Sequence, residues 1–130
     1  MYTKTSHNVK VTVDVVYLEE QSDPLAHHYI WAYRVQIENL SSEPIRLIGR
    51  HWTITDGLGR VQKFSGEGVI GQTPLLMPHV PFEYTSSVPL STPSGIMVGI
   101  YVMHDKDEKE FNIDIPAFSL DNPHDTPSLH

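Results

Sequence analysis

The sequence predicts a single all-β domain in which two antiparallel sheets face each other as a sandwich. Three observations predict it. Apolar residues alternate with polar ones at period two in several segments, which buries one face of a pleated strand and wets the other. No window carries the long 3.6-residue apolar pattern of an amphipathic helix. Clusters of Gly, Pro, Asn and Ser recur between the apolar segments, at intervals near those of sandwiches and barrels.

Val9 to Val15 alternates valine with polar residues. Val9, Val13 and Val16 would also fit a helical face, but an almost continuous β-branched run favours a strand. A polar loop, Glu19 to Pro24, follows. Tyr29 to Asn39 is the second strand, with Tyr29, Trp31, Tyr33, Val35 and Ile37 on one face. Asn39 to Pro44 has turn chemistry. Ile45 to Asp56 is the third strand and carries Arg50-His51-Trp52. Asp56-Gly57-Leu58-Gly59-Arg60 is a hairpin turn leading into Val61–Phe64. Phe82 to Val88 alternates again, Ile96 to Met103 is a long apolar strand suited to a sheet centre, and Phe111 to Ile115 closes the set. From Pro116 the composition turns to Pro, Asp, Ser and His. The domain is taken as 1–121, with a flexible tail over 122–130. The pattern is that of an immunoglobulin-like or fibronectin-III-like sandwich without a disulfide.

Composition narrows the function. The 130 residues suit one domain, and the absence of cysteine excludes disulfides, thiolate metal sites and thiol nucleophiles. Nine basic residues against sixteen acidic ones give a formal charge of −7, which argues against nucleic acid and anionic membranes as partners. The apolar runs fall far short of the roughly 20 residues of a membrane-spanning helix. Met1 to Thr5 lacks the apolar stretch of a secretory signal, so the cytosol is the expected compartment.

Residues 66–71 read Gly-Glu-Gly-Val-Ile-Gly, the spacing of a dinucleotide-binding fingerprint. That fingerprint needs a helix opening after the glycines, whose N-terminal amides hold a pyrophosphate. Pro74 and Pro78 forbid a helix there, so a glycine loop between strands is expected.

Arg50-His51-Trp52, Thr55-Asp56, Gly66 to Gly71, Pro74-Leu75-Leu76, Phe82-Glu83-Tyr84-Thr85-Ser86, Gly95-Ile96-Met97 with Gly99 and Tyr101, and Phe111 to Phe118 together resemble the ApaG family. The resemblance covers about Val9 to Leu120 and extends to ApaG domains in an F-box protein and in a polymerase-delta-interacting protein. It implies a fibronectin-III-like sandwich. It also implies an association with cobalt and magnesium resistance, gene neighbourhood with dinucleoside tetraphosphate hydrolysis, and, in the eukaryotic domains, action through protein contacts. The family loop usually has proline where this chain has Glu67, a carboxylate that would repel a phosphate if it pointed inward.

Three candidate sites follow. The glycine loop is an anion nest in which Gly66, Gly68 and Gly71 supply amides and Arg50 or Lys63 the positive charge, or else a tight bend. His104, Asp105 and Asp107, with Glu108, are a weak, peripheral divalent-cation site, or else a solvated hairpin turn. Adjacent His27 and His28 are expected on opposite faces of an extended segment. Arg50 and His51 are candidates for a recognition surface, with Trp52 packing in the core. No nucleophile-elbow or comparable catalytic signature occurs, and no cofactor is expected. The expected function is a small non-catalytic binding module acting through protein contacts, by exposed edge strands or an aromatic face around Tyr29 and Tyr33. The alternative is a protein that binds divalent cations, phosphate or dinucleoside polyphosphates, with an indirect role in metal resistance.

Overall fold

The computed structural model describes residues 1–124; the tail expected over 122–130 falls outside the described residues from position 125 onward. Among the described residues nine strands form: β1 (Tyr2–Ser6), β2 (Val9–Tyr17), β3 (Tyr29–Asn39), β4 (Ile45–Asp56), β5 (Val61–Glu67), β6 (Leu75–Leu76), β7 (Phe82–Leu90), β8 (Ser94–His104) and β9 (Glu110–Asp121). One sheet has the order β1-β2-β3-β7 and the other β5-β4-β8-β9, with β6 also paired to β4. All these pairings are antiparallel, and the two sheets make the expected sandwich. Among the described residues no helix is long and apolar enough to cross a membrane.

β3 and β4 have the bounds read from the sequence, because both alternate strongly and end in turn residues. β1 was not expected. It is a polar edge strand that closes on β2 through a turn in which His7 and Asn8 both take positive φ, 48° and 62°. β9 runs six residues beyond Ile115 to Asp121, across Pro116. Its register against β8 shifts between Met97 and Gly99, which face Phe118 and Ile115, so Pro116 sits in a bulge where a missing N–H is tolerated.

The core lies between the sheets. Trp31, Tyr101, Phe118, Ile37 and Leu47 are fully buried, each side chain contributing about 1.5–3 kcal/mol by leaving water. Tyr33, Trp52 and Phe118 pack ring on ring at 5.7 to 5.9 Å between centroids. Tyr29 and Tyr33 are 8% and 6% exposed, so the aromatic face expected to dock a partner is core instead. The reason is position: β3 is flanked by β2 and β7 and its apolar face is covered by the second sheet.

The two lateral edges differ. On one side β9 packs against β1 and β2. Lys4 Nζ pairs with Asp114 Oδ2 at 3.1 Å, and the Asp114 amide donates to Ser6 Oγ at 3.0 Å. Trp31 Nε1 donates to the Asp121 carbonyl at 2.8 Å, tying the sheets together. On the other side the edge strands β5 and β7 part around a cleft.

Candidate functional site

A single irregularity aims the residues of β4 at this cleft. Ile45 and Leu47 face the core, so strict alternation would send Arg50 and Trp52 outward. The pairing of β4 with β8 shifts between Leu47 and Gly49. A one-residue shift exchanges the faces of everything after it. Arg50, Trp52 and Ile54 therefore line the cleft, and His51 faces solvent.

The cleft has a volume of about 300 Å³. Trp52, Tyr33 and Met97 form its inner wall, Phe64 on β5 and Ser86 on β7 its rims. Phe64 is 51% exposed, and register places it opposite Trp52. A second cavity of about 340 Å³ shares Ile54, Gln62 and Pro89 with the first and ends at His27, His28, Asp56 and Arg60. His27 has φ 54°, so the segment is not extended as expected, and His27 and His28 both line this cavity.

Arg50 is the cation of the cleft. Its Nη1 donates to the carbonyls of Glu67 and Gly68 at 3.0 and 2.8 Å. Arg60, by contrast, is paired with a carboxylate, with Nε 2.7 Å from Asp56 Oδ2. Gly66 lies opposite Arg50 in the ladder, and a Cβ there would stand 2.8 Å from Arg50 Cζ. The first glycine of the motif is thus the seat on which the guanidinium lies. The rest of the motif is a reverse turn. Val69 and Gln72 exchange backbone hydrogen bonds at 2.9 Å around Ile70 and Gly71, both at positive φ. The Gly68 amide donates to the Ile48 carbonyl at 2.8 Å, and a Cβ on Gly68 would meet the Gln72 carbonyl oxygen at 1.9 Å. The chain after Gly71 enters β6 without forming a helix, as the prolines require.

Behind Arg50 lie three tyrosines. Burial pushes the hydroxyls of Tyr33, Tyr84 and Tyr101 above the ordinary phenol value of about 10, while the Arg50 charge pulls each the other way. The hydroxyls of Tyr84 on β7 and Tyr101 on β8 are hydrogen-bonded to each other, one from each sheet.

The structure brings Arg50, Gly66 and Gly68 together, with Gly71 in the adjoining turn. Lys63 stands apart: it shares the outer face with Ser65, whose hydroxyl meets His51 Nδ1 at 2.7 Å. Arg50 and His51 are likewise split between the cleft and the outer face. In the acidic turn, Asp105 Oδ1 accepts the amides of Asp107 and Lys109, each at 2.9 Å, while His104 Nε2 lies 3.5 Å from Glu110. Among the described residues no three His, Cys, Asp or Glu side chains converge as metal ligands would.

Sequence reading missed the walls supplied by Phe64, Ser86 and Val88. The hairpin turn at Gly57–Gly59 did carry the signal for Phe64, since it sets the register that faces Phe64 to Trp52. Nothing in the sequence announced the bulge that turns Arg50 inward.

Fold and site define a two-sheet sandwich with one sealed edge and one open edge, the latter holding a half-buried arginine among aromatic rings. Comparison with known proteins places it more narrowly. The ApaG domain model matches residues 19–105. A Protein ApaG from Paramagnetospirillum magneticum is 53% identical over 130 residues, covering 100% of both chains. Another from Allorhizobium ampelinum is 52% identical over 123 residues, 95% of each chain. A crystal structure from Bordetella pertussis, described as an ApaA protein, superimposes with a TM-score of 0.86 at 46% identity, covering 90% of this chain and 95% of that one. The chain belongs to the ApaG family.

Proposed function

We propose that this protein is a non-catalytic binding module that works through protein contacts, with the open edge between β5 and β7 as its recognition surface. One observation carries the reading: where the two sheets part, an arginine and an exposed phenylalanine stand at the mouth of a cleft bounded by two edge strands. Edge strands offer backbone donors and acceptors to an added chain, and the cleft between them gives side chains of that chain a place to enter. The use of ApaG domains inside larger eukaryotic proteins fits the same role.

The test is site-specific photo-crosslinking in the native host. A photo-reactive residue is placed at Ser87 or Gln62 on the open edge, and at Thr3 or Asn112 on the sealed one. The partner is identified, expressed alone and titrated against the wild type and Phe64→Glu. Binding that weakens tenfold or more in Phe64→Glu supports the reading. A partner that crosslinks only from Thr3 and Asn112, or that ignores Phe64→Glu, contradicts it.

A further inference from the structure

We propose that the Arg50 end of the cleft is a seat for a carboxylate carried on an apolar, ring-sized body. This rests on the reading of the open edge as a binding surface and names what that surface takes. Arg50 spends only Nη1 on the protein; among the described residues Nε and Nη2 have no hydrogen-bond acceptor. Among those residues no buried side-chain nitrogen or oxygen is left unpartnered, so these two donors reach solvent rather than lying enclosed. The Nε and Nη2 edge of a guanidinium matches the two oxygens of a carboxylate, forming parallel charge-assisted hydrogen bonds.

Charge count chooses the anion. Among the described residues Arg50 is the one charged residue lining the cavity. A single positive charge balances a carboxylate but leaves a phosphate monoester, at about −1.5 to −2, partly uncompensated in a half-buried site. Shape and polarity choose the body. Trp52, Phe64, Val88 and Met97 line the same cavity as Arg50, and about 300 Å³ is the small end of ligand pockets, enough for a ring and a short chain. Gly66 is a positioning residue: with no Cβ, it lets the guanidinium lie against β5. The carboxylate has two sources, a free aromatic or aliphatic acid or the end of a partner's chain.

The experiment is calorimetric titration of the full chain with 3-phenylpropionate, its primary amide, phenyl phosphate, and a heptapeptide ending in phenylalanine with a free or an amidated terminus. The acid is expected to bind at least tenfold tighter than the amide, the scale of one charged hydrogen-bonded contact. Arg50→Gln is expected to erase that difference. Gly66→Ala, which keeps the charge but displaces the guanidinium, is expected to shrink it several-fold, with folding of both variants checked by thermal melting. A free-terminus peptide that binds tighter than the acid assigns the source to a partner's chain end; equal affinity assigns it to a free acid; both uphold the seat. Equal binding of acid and amide, tighter binding of phenyl phosphate, or an undiminished acid preference in Arg50→Gln overturns it. If neither acid nor peptide binds while the crosslinked partner still depends on Phe64, the seat is wrong and the open-edge reading survives.

Discussion

At the edge formed by β1 and β9, Tyr2 packs on Phe118 at 6.1 Å and Lys4 pairs with Asp114 across the gap. At the opposite edge, β5 and β7 approach over a cavity, and the bond between the sheets is the Tyr84–Tyr101 contact set back behind Arg50. The same architecture thus ends in a sealed seam on one side and a mouth on the other. The difference arises from side-chain size and charge: rings and a matched ion pair on β1 and β9, and on β5 and β4 a glycine and an arginine that has no carboxylate partner among the described residues. An edge that buries apolar surface is stabilising, and an edge that leaves a cation and a ring in contact with water is available for binding.

The largest expected effect contrasts the two edges directly. Phe118→Ala removes a fully buried ring and is expected to cost about 3–5 kcal/mol, whereas Phe64→Ala, at the mouth, is expected to stay within about 1 kcal/mol. Urea unfolding of both variants measures this, and comparable losses would erase the distinction between seam and mouth. Next comes the bond between the sheets. Tyr84→Phe or Tyr101→Phe each leaves a buried hydroxyl unpaired, at an expected cost of about 1–3 kcal/mol, while the double variant should be less destabilised than the sum of the two.

The same tyrosines give a pH dependence. Burial raises the folded-state pKa of Tyr33, Tyr84 and Tyr101, so the protonated phenols are favoured by folding. Their contribution is fully present below the unfolded phenol value of about 10 and is lost as pH climbs past it toward the folded values. Phenolate absorbance is expected to show these three of the six tyrosines ionising together with unfolding, above pH 10; full ionisation of the folded chain near pH 10 would contradict it. Smaller still is a change in the turn that closes the glycine loop. Ile70 holds φ 43°, a region β-branched residues avoid, and it is 53% exposed. Ile70→Asn is expected to raise stability by about 0.5–1 kcal/mol in thermal melts.

Much of the sealed half was legible in the sequence, because period-two alternation in β2, β3 and the first part of β9 states which side chains face in. β1 was not, since Thr3, Lys4 and Thr5 are solvated and its partner strand is what makes it a strand. At the open half, Arg50 and the glycine loop were singled out, and the prolines correctly forbade a helix after Gly71. Their arrangement was not readable. A bulge reverses the faces of β4, and Lys63 and His51, which looked like companions of Arg50, lie on the outer side. The wall from β7 joins β4 and β5 only through tertiary packing, which one strand's periodicity does not encode.

The most direct test of the contrast between seam and mouth is a ¹⁵N chemical-shift map of the full chain titrated with 3-phenylpropionate. Shifts are expected at the Trp52 indole, at Phe64 to Gly68 and at Ser86 to Val88, with Tyr2 to Ser6 and Asn112 to Asp121 unmoved. Shifts concentrated on β1 and β9 would contradict the open edge as the place where this protein takes its ligand, and no shifts up to millimolar acid would contradict the carboxylate seat.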